Sequence, residues 1–205
     1  MSADCKEQAQ RRARSLRLAK EAGDIISVSL FQARVCRGMV EAIHAHPGWA
    51  EARVSRRGPD GVVRSVIDPA HRTASVLYSE HLAAVRPNFD RKMDEVLKPL
   101  VEQLFGRRLT DHEGTQIVRY APGGHYIPHS DIGRLTANRY YTVLCYLNDG
   151  FEGGGTRFPA FDYTVKPRSG KAILFPSAYL HGGEPVTSGE KYVLISWITG
   201  PVLRD

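Results

Sequence analysis

The chain has 205 residues, enough to bury a substantial core as one large domain or as one domain with an extension. It is 42% hydrophobic and 24% charged, an ordinary globular balance, and no apolar run reaches the ~18 residues that argue for a membrane span. The net charge of +6 permits an acidic or nucleic-acid partner without requiring one.

Residues 3–22 read as a weakly amphipathic helix that Gly23 stops, a basic N-terminal extension over 1–23. Within it, RRARSLRLAK (11–20) carries no acidic residue and suits a solvated helix face or a contact for an acidic partner. The segment has charges but no apolar h-region, so it is not expected to be a secretory signal. DIISVSL (24–30) alternates apolar and polar residues and predicts a strand. FQARVCRGMVEAIHAH (31–46) repeats Val35, Met39, Val40 and Ile43 at helical spacing, and Pro47 and Gly48 end it.

EARVSRRGPDGVVRSVI (51–67) predicts two short strands around the turn GPDG. The strongest helix pattern lies at 88–106, with Met93, Val96, Leu97, Leu100, Val101 and Leu104 on one side. Pro99 inside it predicts a kink or a split, and Gly106 a C-terminal cap. Past residue 114 the texture turns to β: TQIVRYA, RYYTVLCYLN, YTVKP, KAILFP and KYVLISWI, separated by Gly and Pro clusters. This pattern predicts a sandwich or barrel over about 114–200, supported by the preceding helices, in one domain spanning 24–205. The three cysteines, Cys5, Cys36 and Cys145, are odd in number and widely spaced. They point to a reducing, cytoplasmic setting and to neither a disulfide framework nor a cysteine zinc site.

IPHSDIG (127–133) holds the first chemistry. Residues two apart on a strand share a face, so His129 and Asp131 can reach one cation, although such a pair alone equally suits a polar strand end. His181, in SAYLHGGEP and 52 residues after His129, adds a third donor. Two histidines and a carboxylate form the facial triad of non-haem Fe(II) oxygenases, with a zinc hydrolase site as the competing metal reading. Lys191 opens the last strand, on the face of Val193, Ile195 and Trp197. A cation in an apolar interior is expensive unless it meets an anion, which a dicarboxylic acid would supply; otherwise it is an exposed strand-end lysine. His44, His46, His71, His81 and His112 have no second ligand at a suitable spacing. His125 shares the strand face of His129 if the strand is regular, but lies about 13 Å from it.

Residues 115–199 resemble the prolyl 4-hydroxylase type of Fe(II)- and 2-oxoglutarate-dependent dioxygenases. The stretches that carry the resemblance are QIVRYAPGGHYIPHSD, YYTVLCYLNDGFEGGGTRFP, VKPRSGKAILFP and LHGGEPVTSGEKYVLISW; 24–46 and DPAHRTAS (68–75) match more loosely. The resemblance implies an α+β protein with a double-stranded β-helix, or jelly roll, braced by N-terminal helices. It implies His129, Asp131 and His181 as iron ligands and Lys191 as the partner of the distal carboxylate of 2-oxoglutarate. Tyr120 and Tyr146 match tyrosines of the cosubstrate pocket, which Thr142 and Leu144 are expected to wall, with a hydroxyl from Tyr146 or Thr142 helping Lys191. Arg139 and Trp197 match positions near the substrate mouth, where Tyr126 is also placed.

The implied reaction hydroxylates an unactivated C–H bond, foremost of a prolyl residue in a peptide that could lie across Arg139, Tyr140 and Trp197. It consumes dioxygen and 2-oxoglutarate, with ascorbate as an accessory reductant. Alternatives are a free amino acid or small metabolite as substrate, a nucleic-acid demethylase, and a non-catalytic sensor of iron and 2-oxoglutarate. Asp131 stands where the related halogenases carry a small residue, which argues for hydroxylation. Lys191 stands where the demethylases use arginine, which lowers that reading and with it a nucleic-acid partner. The loops 56–61 and 132–139 are candidate lids. Oligomeric state is left open.

Overall fold

The computed structural model describes residues 17–133 and 136–201. Most of the helix expected at 3–22 therefore lies outside the described residues. Its last turn is not helical: Leu18–Lys20 (β1) is a strand, antiparallel to Ile26–Ser29 (β2), with Leu18 opposite Val28. Gly23, at φ +53, turns the chain back so that β1 completes a sheet edge. Glu21 fixes the turn by pairing with Lys171 Nζ at 2.7 Å and accepting a hydrogen bond from the Tyr163 hydroxyl. A sheet edge and a half-buried carboxylate pair outweigh a helical propensity of a few tenths of a kcal/mol per residue.

Helix α1, Ala33–Ile43, buries Cys36, Met39 and Ile43. After it come Ala50–Glu51 (β3), the hairpin Val54–Arg57 (β4) and Val63–Val66 (β5), then Arg72–Thr73 (β6) and Ser75–Leu77 (β7). The second helical stretch runs as Arg86–Lys92 (α2), a wide turn over Met93–Leu97, and Lys98–Phe105 (α3). The wide turn answers the expectation raised by Pro99. Proline has no N–H and its ring crowds the carbonyl four residues back. Here Lys98 N–H bonds to Met93 O, five residues earlier, and the helix passes on without breaking. Gly106, at φ +62, closes it by donating to Glu102 O.

The β half follows: Asp111–His112 (β8), Gln116–Tyr120 (β9), His125–His129 (β10), Arg139–Tyr146 (β11), Glu152–Gly153 (β12), Thr156–Phe158 (β13), Tyr163–Val165 (β14), Lys171–Pro176 (β15), His181–Gly183 (β16), Val186–Ser188 (β17) and Lys191–Thr199 (β18). The large sheet has the order β1-β2-β15-β11-β18-β9-β7-β3, with β8 also on β18. The small sheet has the order β14-β13-β16-β10-β6. Neighbours come from distant parts of the chain and all pair antiparallel, which is the jelly roll expected.

Strand alternation builds two cores from the large sheet. Val143, Cys145, Leu174, Leu194 and Ile198 face the helices and pack with Met39, Phe89, Met93 and Leu97. Leu144, Tyr146, Ile173, Phe175 and Val193 face the other way, into the barrel. Each fully buried Leu, Ile or Phe contributes about 1.5–3 kcal/mol relative to exposure. The helices thus hold the large sheet from behind and leave its inner face to form a site.

Two of the one-residue bulges among the described residues shape the site. On β10, Tyr126 stands opposite Gly183 and His129 opposite His181, so three steps on β10 match two on β16. On β11, Arg139 stands opposite Thr199 and Tyr141 opposite Ile198, so two steps match one. Each bulge reverses which face the flanking residues present.

Candidate active site

His129 and His181 are directly opposed across β10 and β16, and Asp131 follows at the end of β10. His129 Nε2 lies 3.6 Å from Asp131 Oδ1, and His181 Nε2 lies 3.5 Å from Asp131 Oδ2. The donor atoms of the three residues all fall within 4.8 Å of one another, the one such cluster among the described residues. The backbone sets the tautomers. His129 Nδ1 contacts Ile127 O at 2.9 Å and His181 Nδ1 contacts Tyr179 O at 3.1 Å. A carbonyl only accepts, so both protons sit on Nδ1 and both Nε2 lone pairs are free to bind a cation.

Asp131 is anchored by its N–H to Ser177 O at 3.0 Å and accepts from Thr142 Oγ1 at 2.6 Å. Burial pushes its carboxyl up, but the His129 contact, the charge attraction of both imidazoles and Thr142 outweigh this and hold it well below the usual range. Burial lowers His181 to about 4, so its ring is neutral near pH 7, as a metal ligand must be. This donor set, with its free lone pairs on one side, fits iron(II).

The triad borders a cavity of about 170 Å³, several times the ~30 Å³ share of one water. Lys191 lies deep in it, 2% exposed. Its Nζ donates to Gly154 O at 2.6 Å and sits 5.1 Å from the Tyr120 ring and 5.5 Å from the Tyr146 ring. No carboxylate among the described residues forms an ion pair with it. Burial pulls the ammonium down to about 7, against the weaker upward pull of Glu184. A buried cation with only a carbonyl and two ring faces is incomplete, and the carboxylate of a dicarboxylic acid would complete it.

At the mouth, Tyr126 stacks on His129 with ring centroids 3.6 Å apart, and the Arg139 guanidinium lies 3.7 Å over the Trp197 ring. Glu113 holds Arg139 in place through Nε at 2.9 Å and Nη2 at 2.6 Å. Tyr126 and Arg139 owe their position to the bulges. Tyr126 is three positions from His129 and Arg139 three from Thr142, and regular strands would put each pair on opposite faces.

His129, Asp131, His181, Lys191, Tyr120, Thr142, Leu144, Arg139, Tyr126 and Trp197 all line this one cavity. Tyr146 stands one layer behind, fully buried, its hydroxyl 2.6 Å from Thr156 Oγ1, which does line it. Thr142 gives its hydroxyl to Asp131 and so is turned toward the triad, not toward Lys191. Tyr140 points away, its hydroxyl on Pro201 O. His125 also differs from expectation: the bulge turns it off the face of His129, and its Nδ1 contacts Gly123 O. Sequence reasoning missed Glu113, Ser177, Thr156, Gln116 and Arg72. Three of these had a signal: Gln116 and Thr156 lie in stretches that carry the resemblance, and Arg72 in the loosely matching DPAHRTAS. Within the second candidate lid, Arg134 and Leu135 lie outside the described residues.

Residues 115–199 match the family model of the 2OG-Fe(II) oxygenase superfamily. Prolyl 4-hydroxylase subunit alpha-1 of Gallus gallus is 34% identical over 117 residues, covering 48% of this chain and 23% of that one. The chain spans about half the length, or less, of the curated relatives it matches. A solved prolyl-4-hydroxylase of Pseudomonas putida superposes with a TM-score of 0.67 at 20% identity, over 94% of this chain and 98% of that one. A Trichoplax adhaerens prolyl hydroxylase, solved with a hypoxia inducible factor peptide fragment, gives 0.71 at 14% identity, over 97% and 94%. These two likenesses establish the fold. No helix of the described residues is long and apolar enough to cross a membrane. The family match covers the same residues that form the triad and the lysine pocket, and this part of the chain is similar to the 2OG-Fe(II) oxygenase superfamily and, within it, to prolyl 4-hydroxylases.

Proposed function

We propose that this chain hydroxylates an unactivated C–H bond of a prolyl residue in a peptide, turning 2-oxoglutarate and dioxygen into succinate and carbon dioxide. The observation that carries the reading is the enclosure of His129, Asp131, His181 and Lys191 in one cavity whose mouth is built from Tyr126, Arg139 and Trp197. Grooves continue from that mouth on two sides, past Arg72 and past Arg139, which suits an extended chain better than an isolated small molecule.

When bound, iron(II) with 2-oxoglutarate supplies the oxidising chemistry, in which one oxygen atom goes to succinate and one to the substrate. The residues do the rest. His129 and His181 present Nε2 donors, and Asp131 adds a carboxylate whose orientation Thr142 and Ser177 fix. Lys191 takes the far carboxylate of the cosubstrate in a dry site, where the contact is stronger than in water. Tyr120 and Thr156 flank it as hydroxyl donors, and Leu144 and Val193 keep the wall apolar. Trp197 and Tyr126 offer aromatic faces to a pyrrolidine ring, and Arg139 offers donors to a peptide carbonyl. The reaction belongs in a reducing cytoplasm, a setting supported by the buried, unpaired Cys36 and Cys145.

The test is incubation with Fe(II), 2-oxoglutarate, ascorbate and proline-containing peptides, reading succinate and a one-oxygen mass gain on the peptide. Both are expected together. Oxidation of free amino acids but of no peptide would move the reading to the small-molecule hydroxylase, and neither product with either substrate class would move it to the sensor.

A further inference from the structure

Beyond the mouth, one groove runs between the β4–β5 hairpin and β10 with the segment that follows it, with Arg53, Val54 and Arg56 on one wall and Ile127, Pro128 and Thr136 on the other. Asp131, already committed to the triad, is the one carboxylate among the described residues that line it. The flanking segment 53–72 holds five arginines against two aspartates. Both aspartates are taken within the segment: Arg56 bonds Asp68 at 2.8 and 3.0 Å, and Arg64 pairs with Asp60. Among the described residues Arg53, Arg57 and Arg72 have no carboxylate partner. Arg53 is held ready by Ser65, donating to its Oγ at 3.2 Å and its carbonyl at 2.6 Å.

Arg72 stands where the cavity and the second groove meet. Its guanidinium lies 4.7 Å over the Tyr126 ring, and its buried Nε has no hydrogen-bond partner. A buried guanidinium N–H without an acceptor is costly, and the acceptor is expected to arrive with a ligand.

We propose that the substrate is an acidic peptide, with carboxylate side chains beside the target residue that pair with Arg72 at the mouth and Arg53 along the hairpin. This rests on the peptide-hydroxylase reading and narrows its substrate class. A nucleic acid fits less well. The unpaired arginines are interleaved with Asp60, Asp68, Glu51 and Glu113, which suits discrete carboxylates in register and would repel a continuous phosphate chain. The planar guanidinium also matches a carboxylate two bonds at a time.

Fluorescence anisotropy decides it, with labelled proline peptides flanked by Asp, Asn or Lys and the protein loaded anaerobically with Fe(II) and 2-oxoglutarate. The Asp peptide is expected to bind about tenfold more tightly than the Asn peptide at low salt, with the advantage shrinking as salt rises. Arg53→Gln, at an exposed position, and Arg72→Lys, which keeps the charge but loses the planar donor pair, should each reduce that advantage. Arg34→Gln, on α1 behind the sheet, should not. Equal binding of Asp and Asn peptides overturns the acidic preference and leaves the peptide reading standing. A single-stranded oligonucleotide that displaces the Asp peptide at lower concentration than unlabelled peptide overturns it in favour of nucleic acid. Binding of no peptide at all defeats the peptide reading itself, and this inference falls with it.

Discussion

Thr142 Oγ1 lies 2.6 Å from Asp131 Oδ2 and 3.0 Å from Ser177 Oγ, so one hydroxyl orients the carboxylate of the triad from a neighbouring strand. Partners of this kind typically govern metal affinity by about 10–100-fold. Thr142→Val is expected to weaken Fe(II) binding within that range while the fold stays intact, and Thr142→Ser to restore most of it. Metal titration beside thermal unfolding checks both.

With Lys191 as its proposed partner, cosubstrate binding is expected to depend on pH. The Lys191 ammonium is pulled from an ordinary 10.5 to about 7 in the ligand-free fold, and only the ammonium pairs with a carboxylate. Affinity for 2-oxoglutarate should therefore fall as pH rises above 7, by up to about tenfold per unit. Stability runs the other way. Between pH 7 and 10.5 the unfolded chain holds a proton that the fold has lost, so the cost of burying this lysine shrinks as pH rises. Isothermal titration across pH 6.5–9 on wild type and Lys191→Met tests the first claim. Denaturant unfolding of the same pair, where the methionine variant should gain most at low pH, tests the second.

Glu21 ties the N-terminal turn to the sheet. Burial pushes its carboxyl up, yet Lys171, Ser27 and Tyr163 outweigh that and bring it from 4.5 to about 2. Its contribution is present above the unfolded value of 4.5 and is lost as pH falls toward 2. Glu21→Ala should cost about 1–3 kcal/mol at pH 7 and much less at pH 2. A gap between wild type and variant that stays constant from pH 7 to 2 would contradict this.

The β4–β5 hairpin stands over one groove, with its tip turned by Gly58 N–H to Val62 O and Gly61 N–H to Gly58 O, bonds of 2.8 and 2.9 Å. Shortening 56–61 should reduce substrate-coupled turnover more than 2-oxoglutarate binding. Equal loss of both would assign the hairpin to the fold rather than to the substrate.

What was legible in the sequence follows the period of the strand. Thr142, Leu144 and Tyr146 share one face of β11, and Lys191, Val193, Ile195 and Trp197 one face of β18, and period two alone groups them. His129 and Asp131 followed the same rule. Tyr126 and Arg139 did not, because a bulge separates Tyr126 from His129 and Arg139 from Thr142, and only likeness to relatives placed them at the mouth. Glu113 and Ser177 were invisible for another reason: they act through a side chain and a carbonyl that tertiary contact alone brings near. The N-terminal helix was misread at 17–22 because a basic, alanine-containing segment has helical propensity but no partner in sequence to announce the sheet edge it joins.

The direct opposition of His129 and His181 across two strands has a further consequence. A cation between them is a rivet: it closes a loop of about fifty residues that includes β11 to β15 and so ties both sheets together. Whatever free energy the metal contributes on binding is also resistance to unfolding, about 2.7 kcal/mol at a hundredfold excess over its dissociation constant. Iron supply would then govern the lifetime of this protein as well as its turnover. A chain starved of metal would be the first to yield to a protease.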